Sequence, residues 1–318
     1  MPRAANTGDW LALFTLTALW GTSFALNEVA LASFSPAVMV AGRVLVASVV
    51  LFGFMRASGV TLPKTVREWI PMLVLAVAGN LLPFQLVAWG QQYIASSTAG
   101  VLMAVMPLFV LSLAHFFVPG ARLTLFRVAG FIAGFAGVML VIGFDSITNL
   151  DGNMALLGCL AVLAAAFSYS VNSIYARRLG STNPIQLAAG MMVVSCLVAL
   201  PQAAPDLGEL ADPALGSALA LVFLGLFSTG TATLLYFRVI QGPGPTFLSL
   251  VNYLVPVWAV GTGAVFLGES LPLSVWMGLA LILSGIAISE FGPRLRRSRP
   301  LPLAPRAVTE DALREQPR

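Results

Sequence analysis

The sequence predicts an all-α polytopic membrane protein with ten transmembrane helices in two inverted five-helix repeats. Three observations predict it. The 318-residue chain is 58% hydrophobic and only 9% charged, where a soluble chain carries roughly 25% charged residues, so it has too few charges to build a water-facing surface. Its apolar residues fall into ten runs, each near the ~20 residues that cross a bilayer. Its proline and glycine landmarks recur at one nearly constant offset, which marks an internal copy.

The ten runs cover about 9–31, 36–57, 69–92, 95–118, 122–143, 153–176, 184–201, 214–238, 245–267 and 272–291. The first begins near Trp10 without a small-residue cleavage site behind it, so it reads as a retained span. The seventh is the shortest. Pro107 and Pro256 sit near the centres of the fourth and ninth, where each removes one backbone hydrogen bond and invites a break. Gln241-Gly-Pro-Gly-Pro245 is a tight turn between the eighth and ninth. Pro107, Pro256, Gly242 and Gly244 are therefore the candidate hinges.

Orientation follows from the basic residues. With the N-terminus in the cytoplasm, 16 of the 17 Lys and Arg fall inside and only Arg43 does not, while Asp145, Asp151, Asp206, Glu209, Asp212 and Glu269 fall outside. Both termini are expected in the cytoplasm. The same distribution leaves no basic face for nucleic acid. Residues 1–8 form a short tail, 9–143 the first repeat, 144–152 an external linker, 153–291 the second repeat and 292–318 a basic cytoplasmic tail. That tail suits an anionic leaflet or serves as a topology anchor.

The repeat is legible residue by residue. Pro36 and Pro184, Leu31 and Leu179, Gly130 and Gly278, and Gly137 and Gly285 are each 148 residues apart, and Pro107 and Pro256 are 149 apart. Five spans per half is odd, so the halves lie upside down relative to each other, and a binding site is expected at the midplane between them.

Trp20-Gly-Thr-Ser-Phe24 in the first span, Arg43-Val-Leu-Val-Ala47 in the second, the two central prolines, and Gly268-Glu269-Ser-Leu271 before a Gly-rich last span resemble the EamA-type repeat of the drug/metabolite transporter superfamily. The resemblance covers about residues 9–291 and implies a transporter, similar to bacterial exporters of aromatic and other amino acids. Three departures stand out: Ala121 where the family usually has glutamate, Glu28 where many relatives carry a basic residue, and Phe167-Ser-Tyr-Ser in place of Trp-Gly.

Polar groups inside apolar spans are the candidate site, because burying them in hydrocarbon costs several kcal/mol unless they are paired or wet. Trp20, Phe24 and Asn27 follow one face of the first span. Asn80 lies in the third, Tyr169 and Asn172 in the sixth, and Asn252 and Tyr253 in the ninth. Met103 joins the wall as apolar filler rather than a soft ligand. Thr229, Thr233 and Tyr236 share a face of the eighth, with back-bonding to the helix expected for each Thr. Arg43 either shapes the field of the cavity or holds a substrate carboxylate, or else pairs with Glu28 and helix carbonyls to lock the fold; the expectation leans to the lock. His115, the lone histidine, reads as structural. A cavity walled by the first, third, fourth, sixth, eighth and ninth spans would suit a small amphiphile with an apolar side chain.

The expected function is therefore a secondary transporter of the bacterial inner membrane that exports small metabolites, amino acids foremost, by alternating access. With few titratable groups, transport down the substrate gradient is expected, and Glu28 is the one core carboxylate. No Walker loop, cofactor motif, metal-ligand spacing or Ser/His/Asp set is readable, so no cofactor, metal or catalytic residue is expected. Export of other amphiphiles or drugs, a membrane enzyme acting on lipid-linked substrates, and a channel or scaffold are the alternatives. Gly130-x-x-x-Gly134 and Gly137 allow close helix packing, expected within a monomer rather than a dimer.

Overall fold

A computed structural model describes residues 3–118, 124–143, 154–179 and 183–297. The linker 144–152, Ala121 with its neighbours and the tail beyond 297 lie outside the described residues. Among those described there is no strand, and ten long helices follow one another. They are α1 (Thr7–Leu31), α2 (Pro36–Ala57), α3 (Val66–Gly90), α4 (Ser96–Phe117), α5 (Leu125–Ile142), α6 (Met154–Arg178), α7 (Pro184–Ala203), α8 (Leu215–Gln241), α9 (Val251–Phe266) and α10 (Leu273–Arg297). Eight are long and apolar enough to cross a membrane, α9 is a shorter apolar helix, and α1 has 25 residues with a more polar make-up. Large apolar side chains face outward, such as Val49 and Ile132, as a lipid-facing surface requires.

Helix ends are closed as their sequences dictate. Asn6 and Asp9 form a reciprocal capping box at the start of α1. Ser35 caps α2, with Pro36 in the first turn, and the 3₁₀ turn that follows α7 locks this corner. There the Ser35 N–H donates to Glu209 at 2.7 Å and the Ser35 hydroxyl to Asp206 at 2.9 Å. The seventh span is thus a full helix of 20 residues that runs into this turn.

The inverted repeat shows as paired contacts. Helices α5 and α10 meet backbone to backbone, Gly130 against Gly285 and Gly137 against Gly278. Exchanging each glycine for its copy turns one contact into the other, as a two-fold axis between the halves demands. Ser48 and Cys196, 148 residues apart, are copies that touch each other at 3.4 Å and so lie on that axis between α2 and α7. Gly42 receives Leu221 of α8, and its copy Gly190 receives Met72 of α3.

Two helices carry π-helical interruptions at matching places, Val77–Leu81 in α3 and Leu224–Thr231 in α8. Such segments cluster at functional sites because they turn side chains out of the regular register. Neither was legible as a π-segment from the sequence.

The two broken helices differ in detail. In α4 the interruption lies at Ala104 and Val105, with Pro107 in the first turn of the second half. In the ninth span it lies at Ser249 and Leu250, between a short turn Pro245–Leu248 and α9, and the helix runs on through Pro256. The break there lies beside the Gly-Pro-Gly-Pro turn, ahead of Pro256. Its Gly244 holds φ +97°, ψ −179°, which side chains other than glycine rarely adopt. Gly244→Ala should therefore cost about 1–3 kcal/mol, read as a lower melting temperature; an unchanged one would show that this turn relaxes freely.

Candidate functional site

Helix α1 is the spine of the site. Its neighbours in the bundle are α8, α9, and the first half of α4. Asn27, 3% exposed, donates through Nδ2 to Gln91 Oε1 at 2.9 Å, and Gln91 Nε2 donates back to the Phe24 carbonyl at 2.8 Å. This closed amide pair fixes α1 against the end of α3 and points the Asn27 carbonyl oxygen at Arg43. Arg43 Nε donates to Thr229 Oγ1 at 2.7 Å, Nη1 reaches Asn27 Oδ1 at 3.4 Å, and the guanidinium lies over the Phe84 ring, 4.0 Å from its centre.

Around these groups lies a pocket of about 40 Å³ lined by Ser23, Phe24, Asn27, Arg43, Phe84, Val87, Met103 and Tyr169. It draws on α1, α2, α3 and α4 of the first half and α6 of the second. That volume holds a few waters and is too small for a metabolite. A larger cavity, about 230 Å³, lies between α4 and α5. Its wall is Leu108, Leu111, Phe116, Val128 and Phe131 with Ser112 and Arg127, and Phe116 is largely exposed. It is a groove on the apolar flank and lacks the convergent polar groups of the first.

Of the residues predicted for the site, Phe24, Asn27, Arg43, Met103 and Tyr169 converge on the pocket. Trp20 does not line it and packs on Tyr236, ring centres 6.1 Å apart. Asn80, in the π-segment of α3, donates to Ser195 Oγ at 3.2 Å and so ties α3 to α7. Asn172 lies against Gly79, and its Oδ1 finds no hydrogen-bond partner among the described residues. Tyr253 donates to Glu290 Oε2 at 2.9 Å, holding the start of α9 to α10, and the half-buried Asn252 is also off the pocket wall. The expected wall from α9 is therefore absent, and α8 contributes through Thr229 behind Arg43. Thr233 bonds back to its own helix, as expected of it.

The expected Arg43–Glu28 pair is not formed. Glu28 turns away along α1 and accepts from the Ser96 N–H at 3.1 Å. Ser23, Phe84, Val87 and Gln91 escaped the sequence reading. Gln91 carried a signal, since an amide at the end of an apolar run needs a partner; Phe84 and Val87 carried none.

The face opposite the N-terminus is closed by a second constellation. Ser96 and Ser97 begin α4, and both are fully buried. Glu269, in the loop between α9 and α10, accepts from the Ser96 N–H at 2.8 Å, the Ser96 hydroxyl at 2.7 Å, the Ser97 N–H at 3.0 Å and the Ser97 hydroxyl. A carboxylate at a helix start is favoured by the unpaired N–H groups and the helix dipole. Burial pushes the Glu269 carboxyl up, but these four bonds outweigh it and hold it below its ordinary value. This joint ties a loop of the second half to a helix of the first.

Comparison with known proteins agrees with this architecture. The model of the EamA-like transporter family matches the chain twice, over residues 7–143 and 156–291. The chain is 29% identical over 311 residues to YedA, an uncharacterized inner membrane transporter of Escherichia coli (strain K12), covering 96% of each. It is 24% identical over 290 residues to the uncharacterized transporter YoaV of Bacillus subtilis (strain 168), covering 88% of this chain and 96% of that one. A probable terminal-alkyne amino-acid exporter of Streptantibioticus cattleyicolor is 24% identical over 280 residues, covering 88% and 92%. A solved crystal structure 22% identical in sequence superposes with a TM-score of 0.64 over 91% of this chain and 100% of that chain, which shows the fold.

Proposed function

Because this chain belongs to the EamA-like transporter family, we propose that it is a secondary transporter exporting small metabolites, amino acids with apolar side chains foremost, across a bacterial inner membrane. The observation that carries the reading is the pocket itself. Three aromatic rings, a guanidinium and an amide meet where helices of both halves converge. Such a wall holds an apolar side chain and orients one polar end.

The two halves would rock about the α2–α7 axis, opening the pocket to each face in turn. Breaks beside Pro107 and at Gly242 to Leu250 lie where that motion bends the chain. With both termini in the cytoplasm, as the basic residues favour, the Glu269 joint closes the external side. A relative named as an amino-acid exporter supports the substrate class, and one named as an inner membrane transporter supports the location. Gly130, Gly134 and Gly137 are occupied within the chain by α10 and Leu108, which favours a working monomer.

Efflux of labelled phenylalanine from proteoliposomes tests this, with and without a pH gradient. Saturable efflux is expected without the gradient. Val87→Trp fills the pocket and should cut efflux at least ~10-fold while the protein still inserts, an added barrier of about 1.4 kcal/mol. Wild-type efflux in that variant would remove the pocket from the path.

A further inference from the structure

Arg43 is only 6% exposed and lies within a membrane-spanning helix, and its hydrogen-bond and ring partners among the described residues are neutral. Thr229 and Asn27 accept from it and Phe84 offers its ring face. The Arg3–Asp9 ion pair lies at the N-terminal end of the bundle, and among the described residues no carboxylate reaches the guanidinium. Glu28, next to Asn27 in sequence, is held instead at the start of α4. A guanidinium presents five N–H donors in a rigid fork. The bonds to Thr229 and Asn27 use one each on Nε and Nη1. The others have no partner among the described residues, and the side chain lines the pocket.

A buried cation without a counter-ion costs several kcal/mol. Water in the pocket offsets part of that cost; an anion offsets more, and the planar fork matches a carboxylate through two parallel bonds. No acid lines the pocket to receive an ammonium group, and the Asn27 carbonyl oxygen is turned to Arg43.

We propose that the pocket is a monocarboxylate site, in which Arg43 takes the carboxylate as its missing counter-ion, Phe24, Phe84 and Tyr169 enclose a flat apolar side chain, and the amino group goes unread. This deepens the export reading, since it rests on the pocket being the substrate site. It also goes further: an aryl acid without an amine is as good a ligand as the amino acid.

Thermal stabilisation of the full-length purified protein tests it with four matched ligands: phenylalanine, 3-phenylpropionate, phenylalaninamide and phenethylamine. Both carboxylates should raise the melting temperature at concentrations at least ~10-fold below those at which the amide or amine does so. Arg43→Gln should abolish the response and Arg43→Lys should keep part of it. Stabilisation by phenethylamine equal to that by 3-phenylpropionate, no response to either acid, or an undiminished response in Arg43→Gln would each overturn the site. If a variant does not fold, the four ligands on the wild-type protein decide alone. Efflux separates the two readings. An Arg43-dependent response to the acids without phenylalanine efflux keeps the site and removes amino-acid export. Efflux with no preference for carboxylates removes the site and keeps export.

Discussion

Gly285→Leu should leave almost no folded protein to extract. A Cβ at Gly285 would lie 2.7 Å from the Gly134 backbone nitrogen and closer still to the Gly130 carbonyl oxygen. These neighbours are backbone, so no rotamer change can make room. The two helices would have to part along their whole seam, including the equivalent contact of Gly137 with Gly278. Overpacking of this kind costs about 3 kcal/mol or more, against a seam that depends on close backbone approach because lipid offers no hydrophobic drive between helices. Gly261→Ala is the control, since nothing lies within 4 Å of the added carbon. Size-exclusion profiles and melting temperatures of both variants check the claim. A wild-type profile for Gly285→Leu would mean that α10 does not lie against α5.

Glu269→Ala should have the second-largest effect. It removes the acceptor for two backbone N–H groups and two hydroxyls at the buried start of α4. Glu28 can retain the Ser96 N–H, and hydroxyls can turn, but the Ser97 N–H has no substitute. Unsatisfied buried donors cost about 1–3 kcal/mol each, so a loss of about 3 kcal/mol is expected. Because the joint links the halves, its loss should also favour the state open at that face. A cysteine at Ser97 should then label faster in the Glu269→Ala background, and equal rates would show that the joint does not hold the halves closed.

The pH dependence of the same group has a definite sign. A carboxyl whose value is lowered on folding stabilises the protein above its ordinary value of 4.5 and loses that contribution as pH falls through the lower folded value. The wild-type melting temperature should therefore drop on acidification below about 4.5, and Glu269→Gln should lack that component.

Much of this molecule is written in the order of its residues. Membrane residence, helix number, helix ends and the doubled plan all follow from apolar runs and from glycines and prolines at one offset, because lipid forces every spanning backbone to bond within its own helix. Phe24, Asn27, Arg43 and Tyr169, which converge on the pocket, stand out in the sequence as polar or aromatic groups in apolar runs, and Met103 beside them reads as apolar filler. Which partners they would meet was not identifiable. Glu28 and Arg43 look like natural partners in sequence, yet one turns to Ser96 and the other to Thr229, 186 residues away. Packing of distant helices decided it, as it decided that Trp20 meets Tyr236 and that Tyr253 meets Glu290. The π-segments of α3 and α8, which reset the side-chain register beside Asn80 and Thr229, also come from tertiary fit, since local propensity does not favour them. Sequence alone determined where polar groups enter the membrane; the tertiary structure decided which of them are satisfied by protein, and so gave Arg43 neutral partners and no counter-ion among the described residues.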